Sequence, residues 1–194
     1  MNGWLKCCGL WYIERMNSRK IHKGCAVLAF GVGVCLVLGL RTILLPAQPK
    51  APVEKADSIL ILKKDHLLEL LSGGTVIRAY KVALGRGGLA PKEREGDART
   101  PEGHYVIDAK YPVSHYHKAL HVSYPSAEDR KRAARQGVSP GGSIMIHGLP
   151  NGQGWLGAAH RLYDWTLGCI AVTDEEIDEV YQLVPVGTPV EIRP

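Results

Sequence analysis

A cysteine attacks as its thiolate, and a free thiol with a pKa near ~8.5 is mostly protonated at neutral pH, so it needs a base. Cys169 stands between Gly168 and the apolar run Ile170-Ala171-Val172. A loop-to-strand junction of this kind exposes a nucleophile while holding it rigidly. Gly168 lets the backbone approach a ligand closely and can free amide N–H groups for a developing oxyanion. The available base is His147, which ends a second short apolar run, Ile144-Met145-Ile146, and is followed by Gly148. Two strand ends meeting at one rim of a sheet would bring imidazole and thiol together, although the 21 residues between them do not require it.

Two further segments belong with this pair: Gly96–Ile107 (GDARTPEGHYVI) and the run Asp164–Val172 (DWTLGCIAV) that contains Cys169. Taken together, the set resembles the L,D-transpeptidase (YkuD-type) catalytic domain. The family's His-x element matches His147-Gly148, and its Ser/Thr-His-Gly-Cys element matches Thr166-Leu167-Gly168-Cys169. Its Gly-Asp…Thr-Pro-x-Gly-x-Tyr/Phe run matches Gly96-Asp97…Thr100-Pro101-Glu102-Gly103-His104-Tyr105. The resemblance covers roughly residues 57–193. It implies that Cys169 attacks an amide carbonyl to give an acyl-enzyme and that His147 activates the thiol and later protonates the leaving amine. The Gly148 carbonyl would orient the imidazole, and the N–H groups of Gly168 and Cys169 would form the oxyanion hole. Thr166, Leu167, Tyr105 and Trp165 would contact substrate. That substrate would be a peptidoglycan stem peptide, cut between its diamino acid and the terminal D-alanine, with the acyl group passing to an amine or to water. Two positions depart from the family: Leu167 replaces a histidine, and Ala171 replaces the usual arginine. Hydrolysis at the diamino-acid centre is therefore the alternative to cross-linking. A catalytically idle peptidoglycan-binding module is the alternative to an enzyme.

Other residues compete for attention. His115, His117 and His121, with His104 and His160 elsewhere, raise a metal reading and hence a metallopeptidase. No companion carboxylate stands at metal-site spacing, and Tyr111–Leu120 reads as loop, so loop histidines facing solvent or substrate are preferred. We assign no metal ligand and no cofactor. Trp155 and Trp165 either stack near the cleft or serve packing. The basic run Arg130–Arg135 reads as the solvated face of a helix. Gly85-Arg86-Gly87-Gly88 lacks the Lys-Ser/Thr that would make it a phosphate loop.

The elements that must position these residues are mostly strands. Ser58–Leu62 and His66–Leu71 flank Lys63-Lys64-Asp65, a hairpin turn. Thr75–Leu84 alternates, and Tyr105–Ile107, Leu120–Val122, Ser143–Ile146, Cys169–Val172 and Pro189–Ile192 are further short strands. Two stretches are helical. Ser126–Arg135 has Ser126 as its cap. Thr173–Val184 opens with Thr173 and Glu176 at capping-box spacing and presents Ile177, Val180, Tyr181 and Val184 on one face. The expected fold is mainly β, a sandwich or mixed-sheet domain with one or two short helices, matching the catalytic domain it resembles. Long loops at 85–100, 137–142 and 148–157 are expected to be functional.

The charge is unevenly placed. Residues 1–56 hold 8 basic and 2 acidic residues, leaving 16 basic and 17 acidic in 57–194, so the net +5 is not a nucleic-acid surface. Gly24–Leu40 has no charge over 17 residues and as a helix reaches roughly 26 Å against a bilayer core of about 30 Å. With Thr42–Leu45 added, residues 24–45 form one transmembrane signal-anchor, preceded by a basic cytoplasmic segment (1–23) and followed by a Pro/Ala-rich linker (46–56) and the catalytic domain (57–194). The positive-inside rule puts that domain outside a bacterial cytoplasmic membrane. A cleaved signal peptide is the alternative, strengthened if Met16 is the true start. Of five cysteines only Cys169 lies in the body, so no disulfide forms within it.

Overall fold

The computed structural model describes residues 54–194. The expected segments 1–23 and 24–45 and most of the linker lie outside the described residues. Among the described residues no helix is long and apolar enough to cross a membrane.

The described residues form strands β1 (Ser58–Leu62), β2 (Leu67–Ser72), β3 (Thr75–Lys81), β4 (Gly103–Ser114) and β5 (His117–Val122), then helix α1 (Ala127–Arg135). Strand β6 (Met145–His147), a kinked 3-10 segment (Gly154–Leu162), β7 (Ile170–Ala171), helix α2 (Asp174–Leu183) and β8 (Pro189–Arg193) complete the order. Alternation along β1 and β2 puts Ile59, Ile61, Leu68 and Leu70 in the core. Both helices begin with a capping box: Thr173 with Glu176 as expected, and Ser126, expected only as a cap, with Asp129. Helix α2 buries Ile177, Val180 and Leu183.

The expectation of a mainly β, mixed-sheet domain with two short helices holds, and the sandwich alternative is corrected. The strands make one curled eight-stranded sheet, ordered β3-β2-β1-β8-β4-β5-β6-β7, and not two facing sheets. Strand β4 is long enough to serve both halves: Gly103–Val106 pairs with β8, and Ile107–Ser114 pairs with β5 across irregular register. Such bulges bend and twist a strand. The curl carries the chain beyond β3 back to the far edge, where Ala83 bridges Ala171 and Gly85 bridges Thr166.

Three local expectations are corrected. Tyr111–Leu120 is not loop but the β4–β5 hairpin, despite Pro112. His66 belongs to the turn, with a left-handed φ of 48°. The region 148–157 is only partly loop, since the 3-10 segment begins at Gly154.

Candidate active site

The segment carrying Cys169 is zipped to the chain leaving β3. The Leu84 N–H donates to Asp164 Oδ1 (2.7 Å), the Thr166 N–H to the Leu84 carbonyl (3.1 Å), and the Arg86 N–H to the Thr166 carbonyl (3.0 Å). Asp164 Oδ2 also meets His66 Nε2 at 3.1 Å. Thr166 is buried, and its hydroxyl donates to the Cys169 carbonyl (2.8 Å) while accepting from the Gly168 N–H (3.1 Å). Gly168 has a φ of 127°, and a Cβ there would stand 2.7 Å from the Arg99 carbonyl oxygen. No side chain fits that position without moving backbone.

The base arrives on the neighbouring strand. Strands β6 and β7 are parallel, with Ile146 opposite Ile170 and His147 opposite Ala171. Ile146 and Ile170 point into the core. The alternation therefore turns His147 and Cys169 to the other face. There both line one cleft, together with Tyr116, Ser143, Trp165 and Leu167.

His147 is buried, and its Nδ1 lies 2.7 Å from the Gly148 carbonyl. A carbonyl only accepts, so Nδ1 carries the proton and Nε2 keeps its lone pair. The Tyr116 ring lies 4.3 Å from the imidazole centroid at 33°, and the Trp165 ring 5.8 Å away at 63°. Burial pulls the His147 pKa down to about 4, although the bond to Gly148 works the other way. Burial also pushes the Cys169 thiol above its ordinary range. Both shifts favour the neutral thiol and the neutral imidazole. The thiol donates to the Ser143 carbonyl at 3.6 Å. Gly148 is as constrained as Gly168: a Cβ would meet Asp174 Oδ1 at 2.6 Å and Ile177 Cγ2 at 3.0 Å.

Three expectations need correction. Tyr105 lies away from this cleft. Its ring is buried against Tyr124, and its hydroxyl donates to Asp129 Oδ2 and meets the Glu102 carbonyl, each at 3.0 Å. Thr166 lines the cleft, yet its hydroxyl is spent on the loop's own backbone. The same bond occupies the Gly168 N–H, which leaves the oxyanion-donor part expected of it to the Cys169 N–H. Ala171, whose replacement by arginine would restore the family pattern, is fully buried and hydrogen-bonded to Ala83 in both directions. An arginine there would bury an unpaired charge.

Leu167 does open to solvent, at 67% exposure, and Trp165 stands at the wall of the cleft. Trp155 points outward, 82% exposed. Two of the other histidines are engaged by carboxylates: His117 by Asp178 (2.7 Å) and His121 by Asp108 (2.6 Å). Sequence reasoning missed Tyr116 and Ser143. Tyr116 is brought in by the β4–β5 hairpin, and its position between two histidines drew attention to them instead. Ser143 offers only a backbone carbonyl, which no side-chain pattern announces.

Comparison with known proteins agrees with this geometry. The model of the YkuD L,D-transpeptidase catalytic domain matches residues 56–192. The Escherichia coli K12 protein named "Putative L,D-transpeptidase YafK" is 32% identical over 132 residues, covering 65% of this chain and 46% of its own length. Campylobacter jejuni Pgp2, a helical cell shape determining protein, superposes with a TM-score of 0.56 at 26% identity, over 72% of this chain and 48% of its own. Bdellovibrio bacteriovorus Bd1075 shares the fold at a TM-score of 0.50 and 23% identity, again over 72% of this chain and 48% of its own. The chain thus spans about half the length of these relatives. Because the family match runs through nearly every described strand and both strand ends of the cleft, the chain belongs to the family of L,D-transpeptidase catalytic domains.

Proposed function

We propose that this protein is a cysteine-dependent L,D-transpeptidase that acts on peptidoglycan stem peptides from the outer side of a bacterial cytoplasmic membrane, held there by residues 24–45. The observation that carries the chemistry is the shared cleft of Cys169 and His147, with Nδ1 committed to Gly148 and Nε2 left as a base. The Cys169 proton passes to His147 Nε2 as sulfur bonds to the scissile carbonyl carbon. The oxyanion is met by the Cys169 N–H. Collapse breaks the carbon–nitrogen bond, the imidazolium protonates the departing amine, and a thioester remains. An incoming amine gives a transferred product, and water gives a free acid. Gly148, Gly168 and Thr166 position these groups, while Leu167 and Trp165 face the substrate.

Hydrolysis is the second reading, favoured by the exposed apolar Leu167 where the family carries a histidine. Incubating the protein with a tetrapeptide donor and excess amine, then weighing the products by mass spectrometry, separates the two. Cross-linked or exchanged product is expected. Free tripeptide alone at every amine concentration makes the enzyme a hydrolase, and no product of either kind removes the activity. Cys169→Ala should stop turnover without unfolding the chain.

A further inference from the structure

Lys92 belongs to a charged run, Lys92-Glu93-Arg94-Glu95, of the kind that is solvated on a surface loop. It is nevertheless only 3% exposed. Its ammonium donates to Asp97 Oδ1 (2.7 Å) and to the Arg94 carbonyl (3.0 Å). Asp97 spends the rest of its capacity on backbone. Its Oδ2 takes the N–H groups of Glu93 (2.8 Å) and Arg94 (3.0 Å), and Oδ1 also takes that of Arg99 (3.1 Å). Burial works to raise this carboxyl, but the Lys92 ammonium and the three N–H groups outweigh it and hold the pKa at about 2, so the group stays ionised.

The turn gathered around Asp97 meets the surroundings of Cys169 at two places. At the first, the Arg99 carbonyl lies against Gly168, close enough that a Cβ on Gly168 would stand 2.7 Å from it. The Gly87 N–H donates to the Ala98 carbonyl at 2.9 Å, beside Arg86, whose own N–H reaches the Thr166 carbonyl. At the second, the Glu95 N–H donates to the Ser139 carbonyl at 2.7 Å, and a Cβ on Gly141 would meet Glu95 at 3.3 Å. Two residues further on is Ser143, whose carbonyl receives the Cys169 thiol. The Gly168 N–H is occupied by Thr166, so the Cys169 N–H is the donor whose direction matters.

We propose that the Lys92–Asp97 ion pair is a positioning element for the oxyanion donor: it fixes the turn over residues 93–99, whose Arg99 carbonyl sets the place of Gly168 and with it the direction of the Cys169 N–H. The proposal rests on the acyl-transfer reading of the Cys169 cleft. Neither residue of the pair lines that cleft, so both act through the turn and not on substrate. Exchanging a buried ion pair for apolar groups is often neutral or stabilising, so stability alone does not account for one. What this pair supplies is direction. One carboxylate collects three N–H groups, and the ammonium holds that carboxylate in place. An oxyanion donor acts on the transition state and not on bound substrate, so displacing it lowers kcat and leaves KM.

The test compares the full chain, labelled with ¹⁵N-cysteine and kept in detergent, with Lys92→Met, Lys92→Arg and Lys110→Met. Lys110 donates to the Tyr181 and Val184 carbonyls, so its loss destabilises the domain at a different place. The Cys169 amide resonance, assigned by its disappearance in Cys169→Ala, is expected to move in Lys92→Met, to return toward its original position in Lys92→Arg and to stay in Lys110→Met. Well below the unfolding midpoint, Lys92→Met is expected to lower kcat on a tetrapeptide donor at least ~10-fold with KM within about twofold, less than the ~10²-fold or more of a donor removed outright. Lys92→Arg should recover most of that loss, and Lys110→Met should keep its kcat. Asp97→Asn, nearly isosteric, takes the place of Lys92→Met if that variant does not fold. A Cys169 amide that the loss of the pair leaves unmoved, or a kcat that the folded variant retains, overturns the inference. A wild type without turnover removes the acyl-transfer reading alone, and the amide shifts then decide whether the pair positions Cys169.

Discussion

His147 carries most of the electrostatic consequence of the site. Its pKa falls from 6.5 to about 4 because burial between Tyr116 and Trp165 opposes the charged form. The unfolded chain binds this proton below about 6.5, and the folded chain does not until about 4. Stability therefore falls as pH drops through that window, by about 3 kcal/mol at ~1.4 kcal/mol per unit. Denaturant titrations from pH 7 to 4 should show this slope in the wild type and lose it in His147→Phe. The raised Cys169 thiol works at the other end. Iodoacetamide alkylation should keep accelerating beyond pH 8; a plateau near neutrality would mean a resting thiolate–imidazolium pair instead. His147→Ala should slow turnover at least ~10²-fold, the scale of a lost general base. The two candidate reacting residues were legible in sequence because a cysteine and a histidine each stand beside a glycine at the end of a short apolar run. Tyr105 misled because its motif holds the fold together: the hydroxyl anchors Asp129 of α1 to the sheet.

Among the elements, the loop from 85 to 102 shows how a turn residue can become structural. Lys63 stands in the hairpin turn between β1 and β2, yet it is fully buried. Its ammonium donates to the Thr100 carbonyl (3.0 Å), the Ala90 carbonyl (3.2 Å) and Glu102 Oε1 (2.8 Å). One cation thus ties the start of the domain to the loop behind Gly168. Lys63→Met should lower stability by about 3 kcal/mol, since breaking a buried pair strands its partners; an unchanged denaturation midpoint would contradict that anchoring. Gly168→Ala should be worse for activity than for folding. Its Cβ meets the Arg99 carbonyl, and relieving that contact moves Cys169. Helix caps were readable because a serine or threonine three residues before an acid is a local signal. The β4–β5 hairpin was not, because proline and scattered polar residues mask a strand whose partners are fixed by tertiary pairing.

For the whole molecule, the uneven charge and the apolar run at 24–40 lead to a testable topology. Protease added to spheroplasts should digest the catalytic domain, and a reporter fused after Pro194 should behave as exported; full protection in intact spheroplasts would reverse the orientation. The mainly β class was visible in the alternating runs, but the single curled sheet was not. Its decisive joins are parallel pairings, β1 with β8 and β6 with β7, between segments far apart in the chain, and local pattern carries no trace of them. The position of β8 has a consequence for biosynthesis. Strand β8, more than 120 residues after β1 in the chain, lies at the interior of the sheet, between β1 and β4. Until residues 189–193 leave the ribosome, the halves bearing Lys63 and Cys169 have no common strand. Contacts of such long range form late. The two halves therefore close into one sheet around the Cys169 cleft only once β8 slots in between β1 and β4.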